Sequence, residues 1–266
     1  MSYKPSLLWS IQREDLPGTS YLFGTMHVHD VKAFGLINQV KTLLHQCDAM
    51  AAEYDLDNHS EMEVSRFTDF SKSKTVIEVL PEKTLQKLNR VLLKSLGLSL
   101  DGYQHMHPFV LINTISSLIL SKDMPLSLDE HLWHEAKAIG KETTGIETLE
   151  EQLAIVEKIP IDAHVKNLTQ IAENFPRYRL QTLKMANWYA NENLTQLHRA
   201  SINGQGKLKR LLLYNRNTVM ATRIEKMASA RTVFFAIGAG HLGGKQGILR
   251  KLKILGLKVK SLSAGE

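Results

Sequence analysis

The chain has 266 residues, of which 43% are hydrophobic, and this length and composition can bury one large core or two modest ones. No stretch of the sequence is apolar enough over a sufficient length to span a bilayer, and none is of low complexity. The formal net charge of +6 is mild, and the single cysteine, Cys47, excludes an internal disulfide, so the composition requires no oxidising compartment.

The first 56 residues predict a β-hairpin, a helix and a third strand. Apolar runs at 7–12 and 20–27 flank the polar turn REDLPG, a pattern typical of an antiparallel hairpin. Residues 36–47 have apolar positions at helical spacing, and residues 48–56 then predict a short buried strand.

The middle of the chain is predicted to be helical. Helical patterns occupy the segments 60–71, 81–97, 107–121 and 127–140. Gly97 and Gly140 stop two of these helices. A short strand is then predicted at 141–147 and a helix at 148–159, with further helices to about 229. The chain closes with a strand at 232–241, a helix at 243–256 and a strand from 258.

The order of these elements indicates an α/β fold. Strand, helix and strand at both ends of the chain predict a central mixed, largely parallel sheet, built from both termini and flanked by helices. The helices at about 60–140 are then an insertion into that sheet. No linker rich in Pro, Gly or Ser separates these parts, so the sequence predicts a single domain over residues 1–266.

Two predicted strands end in the same short pattern, in which a histidine follows a glycine by three positions. His27 ends the strand that contains Gly24, and His241 ends the strand that contains Gly238. Glycine allows the unusual backbone angles and the close approach that a turning strand needs. Because ligands of open α/β sheets bind beyond the carboxyl ends of the strands, we expect the two imidazoles to face one ligand-binding edge.

Two glutamates occupy equivalent positions in the sequence. Glu53 lies at the end of the apolar run DAMAAEY, and Glu147 closes KETTGIE. Two imidazoles with one or two carboxylates suit a divalent metal, which can activate water near neutral pH. The alternative is structural: each histidine hydrogen-bonds nearby backbone, and Glu147 is only the first-turn carboxylate of the next helix.

Three further features have two interpretations each. His29 would present a second imidazole beside His27 if that strand continues. Asp129 either caps the helix that follows it or points into the site. The basic run GKLKRLLLYNR at 206–216 is interleaved with leucines at helical spacing, which favours a solvated helix face over a nucleic-acid groove.

At this point the sequence resembles the TraB/PrgY/GumN family, which includes the Tiki metalloproteases. The segments that carry the resemblance are YLFGTMHVHD, AAEYD, TTGIETLEEQL, YNRN and FFAIGAGHLGGKQGILRKLKILGLKVKSL. The resemblance implies a fold related to the erythromycin-esterase and ChaN-like group. It also implies an active-site set made of His27, Glu53 and His241, joined by Glu147 and by Arg216 from the YNRN motif. Tiki-type members are described as Mn- or Co-dependent peptidases, so the resemblance implies one of these metals, and zinc would also suit the ligands.

These observations lead to the hypothesis of a metal-dependent hydrolase, a Tiki-like peptidase that cleaves peptide bonds with metal-activated water. His27, Glu53 and His241 would hold the metal, Glu147 would be a further ligand or the general base, and Arg216 would neutralise the developing oxyanion. One alternative is a metal-free, esterase-like hydrolase with His27 as the base. Another is a non-catalytic protein that binds a peptide, a metal or haem.

The sequence also carries expectations about partners and location. We expect a peptide or small-molecule substrate and no nucleic acid, and a homo-oligomer is compatible with the sequence. The N-terminus, MSYKPSLLWSIQ, has no secretory apolar core after its charge, which predicts a cytoplasmic protein as written. An exported or periplasmic location is expected if a leader sequence has been removed.

Overall fold

A six-stranded sheet is the framework of the protein in the computed structural model, which describes residues 6–57, 74–203 and 205–262. Its strands are β1 Leu8–Gln12, β2 Ser20–Thr25, β3 Ala49–Ala52, β4 Glu142–Gly145, β5 Val233–Gly238 and β6 Lys258–Ser261. Their order across the sheet is β4-β3-β5-β2-β1-β6. The four strands β4, β3, β5 and β2 are parallel to one another, whereas β1 is antiparallel to both β2 and β6. The predicted fold class and the predicted hairpin are therefore confirmed.

The central strands are apolar along their whole length because both faces of the sheet are covered. Every residue of β3 is buried, as is every residue of β5 except the terminal Gly238. Continuous apolar runs of this kind are typical of buried parallel strands. By contrast, β4 has the sequence ETTG and is partly exposed, as expected for the strand at the edge of the sheet.

The described helices agree in most places with the predicted ones. They are α1 Ile37–Gln46, α2 Val76–Val79, α3 Glu82–Leu96, α4 Pro108–Ile119, α5 Leu128–Ala138, α6 Leu149–Glu157, α7 Ile161–Glu173, α8 Phe175–Ala190, α9 Leu194–Ile202, α10 Arg216–Ala230 and α11 Ile248–Ile254. A π-helical turn, Arg210–Asn215, leads directly into α10. Gly97 and Gly140 adopt positive φ after α3 and α5, so both predicted helix ends are confirmed. None of these described helices combines the length and apolar character that crossing a bilayer requires.

Two predicted helices are not confirmed as predicted. The helix predicted over 60–71 lies outside the described residues. The helix predicted from 243 begins only at Ile248, because Gly244 has φ +83° and a β-carbon there would lie 2.1 Å from Nε2 of His198. The glycines before α11 thus form a turn beneath an imidazole ring, and the prediction of an earlier start was wrong.

The chain divides into two compact units. The first contains the sheet and consists of Met1–Leu56, Lys122–Glu151 and Met185–Glu266. The second consists of Asp57–Ser121 and Gln152–Lys184, so its bounds differ from the predicted insertion at 60–140. The assignment of the whole chain to a single domain stays a prediction.

Each unit has its own apolar core. In the first, the strands pack with residues of α1, α5, α10 and α11. In the second, leucines and isoleucines of α3, α4 and α7 form a separate cluster; its fully buried members include Leu88, Leu92, Leu111, Ile115, Leu168 and Ile171.

Candidate functional site

Four neighbouring strands end at the same edge of the sheet, and each is followed by a residue predicted to belong to the site. The last residues of β2 and β5 pair with each other, as do the last residues of β3 and β4. The order of the strands therefore places the predicted side chains along this edge as Glu147, Glu53, His241 and His27. This is the edge at which open parallel sheets bind ligands.

Arg216, the first residue of α10, joins the two glutamates. Its Nε lies 3.1 Å from each carboxylate oxygen of Glu147, and its Nη2 donates to both Glu147 and Glu53. The side chains of Arg216, Glu53 and Glu147 are only 14%, 10% and 4% exposed. Burial lowers the pKa of the guanidinium, but the two carboxylates outweigh it and raise that pKa above its ordinary value. The cluster is a buried triad with one positive and two negative groups.

The second oxygen of Glu53 is held by the backbone of β5. The Gly238 N–H donates to Oε2 of Glu53 over 3.1 Å. A β-carbon at Gly238 would lie 3.2 Å from that oxygen, so a larger residue would crowd the carboxylate. Burial alone would raise the pKa of Glu53, but the attraction of His241, Arg216 and His27 lowers it to about 2. Glu53 is therefore ionised at neutral pH.

His241 is buried between a carboxylate and an amide. Its Nδ1 lies 2.6 Å from Oδ1 of Asn217, and its Nε2 lies 3.9 Å from Oε1 of Glu53. Burial lowers the pKa of His241 to about 4, although Glu53 acts in the opposite direction. The imidazole is therefore neutral near pH 7, which is the form in which histidine binds metals.

His27 is the most exposed of the site residues. Its side chain is 49% exposed, and Nδ1 lies 2.9 Å from Oδ2 of Asp129, which is itself only 2% exposed. Asp129 does not cap α5, because Ser127 and Glu130 form the capping box there. Of the two interpretations of Asp129, the structure favours the one in which it points towards the site.

His29 has a different environment from His27. Its Nδ1 lies 3.1 Å from the carbonyl oxygen of Met124. The backbone nitrogen of Met124 in turn donates to the carbonyl oxygen of His29. The contacts of His29 are thus with the segment before α5, and they account for this side chain without a role as a ligand.

Helix α10 supplies two side chains that sequence reasoning missed. Asn217, directly after Arg216 in the quoted motif YNRN, contacts His241. Arg223 lies two turns further on and donates to the carbonyl oxygen of Ile146 and to both oxygens of Glu151, so it fixes the loop that carries Glu147. The signal for Asn217 was its place beside Arg216, whereas nothing local distinguishes Arg223 from a surface arginine.

The basic run at 206–216 is divided between the surface and the site. Lys207, Lys209 and Arg210 are exposed, as predicted for a solvated face. Arg216 instead turns into the buried triad, immediately after the π-helical turn. Single π turns within helices are frequent at functional sites.

The donor chemistry of the edge fits a divalent metal. It offers a neutral imidazole, a second imidazole backed by a carboxylate, and an ionised glutamate. As the side chains stand, no three His, Cys, Asp or Glu residues within the described ranges are arranged to hold an ion. Arg216 instead binds oxygens of both glutamates, so Glu53 would have to share Oε1 between the guanidinium and a metal.

Comparison with known proteins identifies the family of the chain. The sequence profile of the TraB/PrgY/gumN family matches residues 7–261. The chain belongs to this family. It is similar to metalloprotease TIKI1 of Danio rerio, with 23% identity over 98% of this chain and 64% of that protein. It is also 24% identical to metalloprotease TIKI2 of Danio rerio, over 96% of this chain and 60% of that protein.

A third relative gives the same result. The metalloprotease TIKI homolog of Amphimedon queenslandica is 24% identical over 98% of this chain and 62% of its own length. The chain therefore spans less than two thirds of these relatives. No solved structure matches the chain significantly. The printed names of all three relatives describe metalloproteases or a metalloprotease homolog.

Proposed function

We propose that the chain is a metal-dependent hydrolase that cleaves peptide bonds. The observation that carries the proposal is the row of Glu147, Glu53, His241 and His27 at the carboxyl ends of four adjacent parallel strands. The names of the relatives, which are metalloproteases, support the same chemistry.

In this proposal His27, Glu53 and His241 hold the cation. The resemblance favours Mn²⁺ or Co²⁺, and the mixture of nitrogen and oxygen donors also suits Zn²⁺. When bound, a divalent cation supplies a Lewis acid for the substrate carbonyl and a means of activating water near neutral pH. The half-exposed ring of His27 leaves this end of the row accessible to a substrate.

Glu147 and Arg216 act on either side of that centre. Glu147 is a further ligand or the base that accepts a proton from water, and Arg216 keeps its carboxylate in place through two hydrogen-bonding nitrogens. Among the described residues, the Nη1 of Arg216 has only a long contact, 3.5 Å, with the carbonyl oxygen of Leu212. This donor is the one that would face an oxyanion formed on the substrate.

Thermal melting with Mn²⁺ and with chelator tests the metal site. Mn²⁺ at about 100 times its dissociation constant should stabilise the wild type by about 2.7 kcal/mol, because it binds only the folded state. Glu53→Gln should lose most of this gain, and so should His27→Gln. His134→Gln, on an exposed position of α5, is the matched control and should respond like the wild type. A Glu53→Gln protein that gains as much from Mn²⁺ as the wild type would remove Glu53 from the site.

A metal-free hydrolase with His27 as the base is a second candidate. The contact between His27 and the buried Asp129 favours it, since a carboxylate behind an imidazole orients a general base. Hydrolysis of a peptide library that survives exhaustive chelation, and is lost in His27→Gln, would replace the metal proposal with this one. Peptides that bind without being cleaved, with or without Mn²⁺, would instead show a binding protein.

A further inference from the structure

Both histidines of the site are contacted at Nδ1 by a side chain from elsewhere in the chain. Asp129 contacts His27 and Asn217 contacts His241. We propose that Asp129 and Asn217 are positioning residues that keep a hydrogen on Nδ1 of each ring, so that both Nε2 atoms face the reacting groups. The inference rests on the proposed function only for what the Nε2 atoms do, since the orientation of the rings can be measured without it.

The amide of Asn217 has a defined orientation. Its Nδ2 donates to the carbonyl oxygen of Gln246 over 2.8 Å, so the opposite atom that faces His241 is Oδ1. A flipped amide would bring two oxygens together at that carbonyl. An amide oxygen only accepts, and therefore Nδ1 of His241 must carry the hydrogen. The lone pair of the neutral ring then lies on Nε2, the atom 3.9 Å from Glu53.

Burial of the Asp129 carboxylate is unfavourable, and a capping role in α5 does not explain it. The capping box of α5 is complete without it, and its side chain is only 2% exposed. Within the described part of the chain, neither of its oxygens accepts a hydrogen bond, and its ion-pair contact is with His27. A buried carboxylate is unfavourable without a partner, and the ring of His27, with Nδ1 2.9 Å from Oδ2, is the group placed to supply one.

The backbone brings Asp129 to His27. Met124 N–H donates to the carbonyl oxygen of His29, and Leu128 N–H donates to that of Val28. The segment after β2 is therefore paired with the segment before α5, which sets the first turn of that helix beside the ring. Carboxylates that contact the second nitrogen of a metal-binding or catalytic histidine fix its tautomer and orientation in the same way.

NMR spectroscopy of the full chain labelled with ¹⁵N-histidine tests the proposal. The signals of the two rings are assigned by comparison with His27→Gln and His241→Gln. In the wild type at neutral pH and with chelator, His241 should carry its hydrogen on Nδ1, and Nδ1 of His27 should also be protonated. Either ring found mainly in the tautomer with hydrogen only on Nε2 overturns the proposal, and this measurement needs no destabilised variant.

The variants Asp129→Ala and Asn217→Ala then separate positioning from scaffolding. Asp129→Ala should shift the tautomer of His27 and leave that of His241 unchanged, and Asn217→Ala should do the reverse. The exposed Asp123→Ala and Asn38→Ala are matched controls and should change neither ring. A folded Asp129→Ala chain with an unaltered His27 signal overturns the role of Asp129.

The affinity for Mn²⁺ connects the result to function. Loss of a residue that orients a ligand lowers metal affinity by about 10- to 100-fold, and we expect that loss in both variants. Lower affinity without any change of tautomer contradicts positioning. Predicted tautomers in a chain that neither binds Mn²⁺ nor hydrolyses peptides would refute the proposed function and leave the orientation of the rings established.

Discussion

Two buried histidines, one in each unit, show what burial does and does not reveal. His241 and His164 are 7% and 5% exposed, and burial lowers the pKa of each to about 4. His241 lies among Asn217, Glu53 and Arg216, whereas Nε2 of His164 has no hydrogen-bond partner in the described residues. A shifted pKa therefore does not identify a site by itself. A site is better indicated by polar groups that converge from several helices and strands.

The neighbours of His164 are aromatic rings. Its ring centroid lies 5.1 Å from that of His107 and 6.2 Å from that of Phe109, both in edge-on contact. If the comparison is correct, substitutions in the two units should have opposite effects on stability. Tryptophan fluorescence can follow the first unit alone, because Trp9, Trp133 and Trp188 all belong to it.

The largest effect is expected from breaking the buried triad. Arg216→Met leaves Glu53 and Glu147 without their cation and should lower the free energy of unfolding by about 3–5 kcal/mol, measured by urea titration of tryptophan fluorescence. Arg231→Met is the control, since Arg231 pairs with Glu142 in an exposed ion pair and should cost less than about 1 kcal/mol. Equal losses in the two variants would contradict the assigned burial of the triad.

A smaller loss is expected at His241. His241→Leu removes the donor that faces Asn217 and should lower the stability of the first unit by about 2 kcal/mol in the presence of chelator. The same titration measures it. An increase in stability would mean that the polar contacts of His241 contribute nothing to the fold.

The acid dependence of the second unit is the next effect in size. His164 is neutral when folded but binds a proton below about pH 6.5 when unfolded, so stability should fall as the pH falls from 6.5 to 4. Below pH 4 the folded state is protonated as well and the loss should level off. Between pH 7 and 5 we expect the free energy of unfolding of the second unit to fall by about 1–2 kcal/mol. The methyl NMR signals of Leu88 and Leu168, recorded during urea titration, measure this loss.

The smallest effect has the opposite sign to that at His241. His164→Leu removes Nε2, a buried nitrogen that has no hydrogen-bond partner among the described residues, and should raise the stability of the second unit by about 1 kcal/mol at pH 8. The substitution should also remove most of the acid dependence. The part that remains is expected from His107, whose pKa burial also lowers. Destabilisation at pH 8 would show that His164 has a polar role that its contacts do not reveal.

The sequence predicts the residues at the carboxyl edge of the sheet better than the side chains that contact them. The apolar runs, with terminal glycines before His27 and His241, are enough to place His27, Glu53, Glu147 and His241 after strands, because strand ends are a local property. Asp129 carries no such signal, since an aspartate in the first turn of a helix has an ordinary explanation in the helix dipole. Only the pairing of the segments after β2 and before α5 places Asp129 beside His27.

Other differences have the same origin. The start of α11 was misplaced because the ring of His198, from a distant helix, occupies the space beside Gly244. The partner of His241 was missed because an asparagine beside an arginine looks like a second surface residue until the helix is placed against the sheet. Contacts between segments far apart in the sequence decide both cases.

The place of β5 in the sheet has a consequence for how the protein is made. This strand, Val233–Gly238, lies between β2 and β3 but leaves the ribosome long after both of them. Until then β2 and β3 expose unpaired edges, and no native sheet links them. Such late, long-range pairing slows folding and exposes the nascent chain to aggregation. A ribosome stalled just before residue 233 would hold a polypeptide with both glutamates and Arg216 in place along its sequence, yet without the strand that brings β2 and β3 into a single sheet.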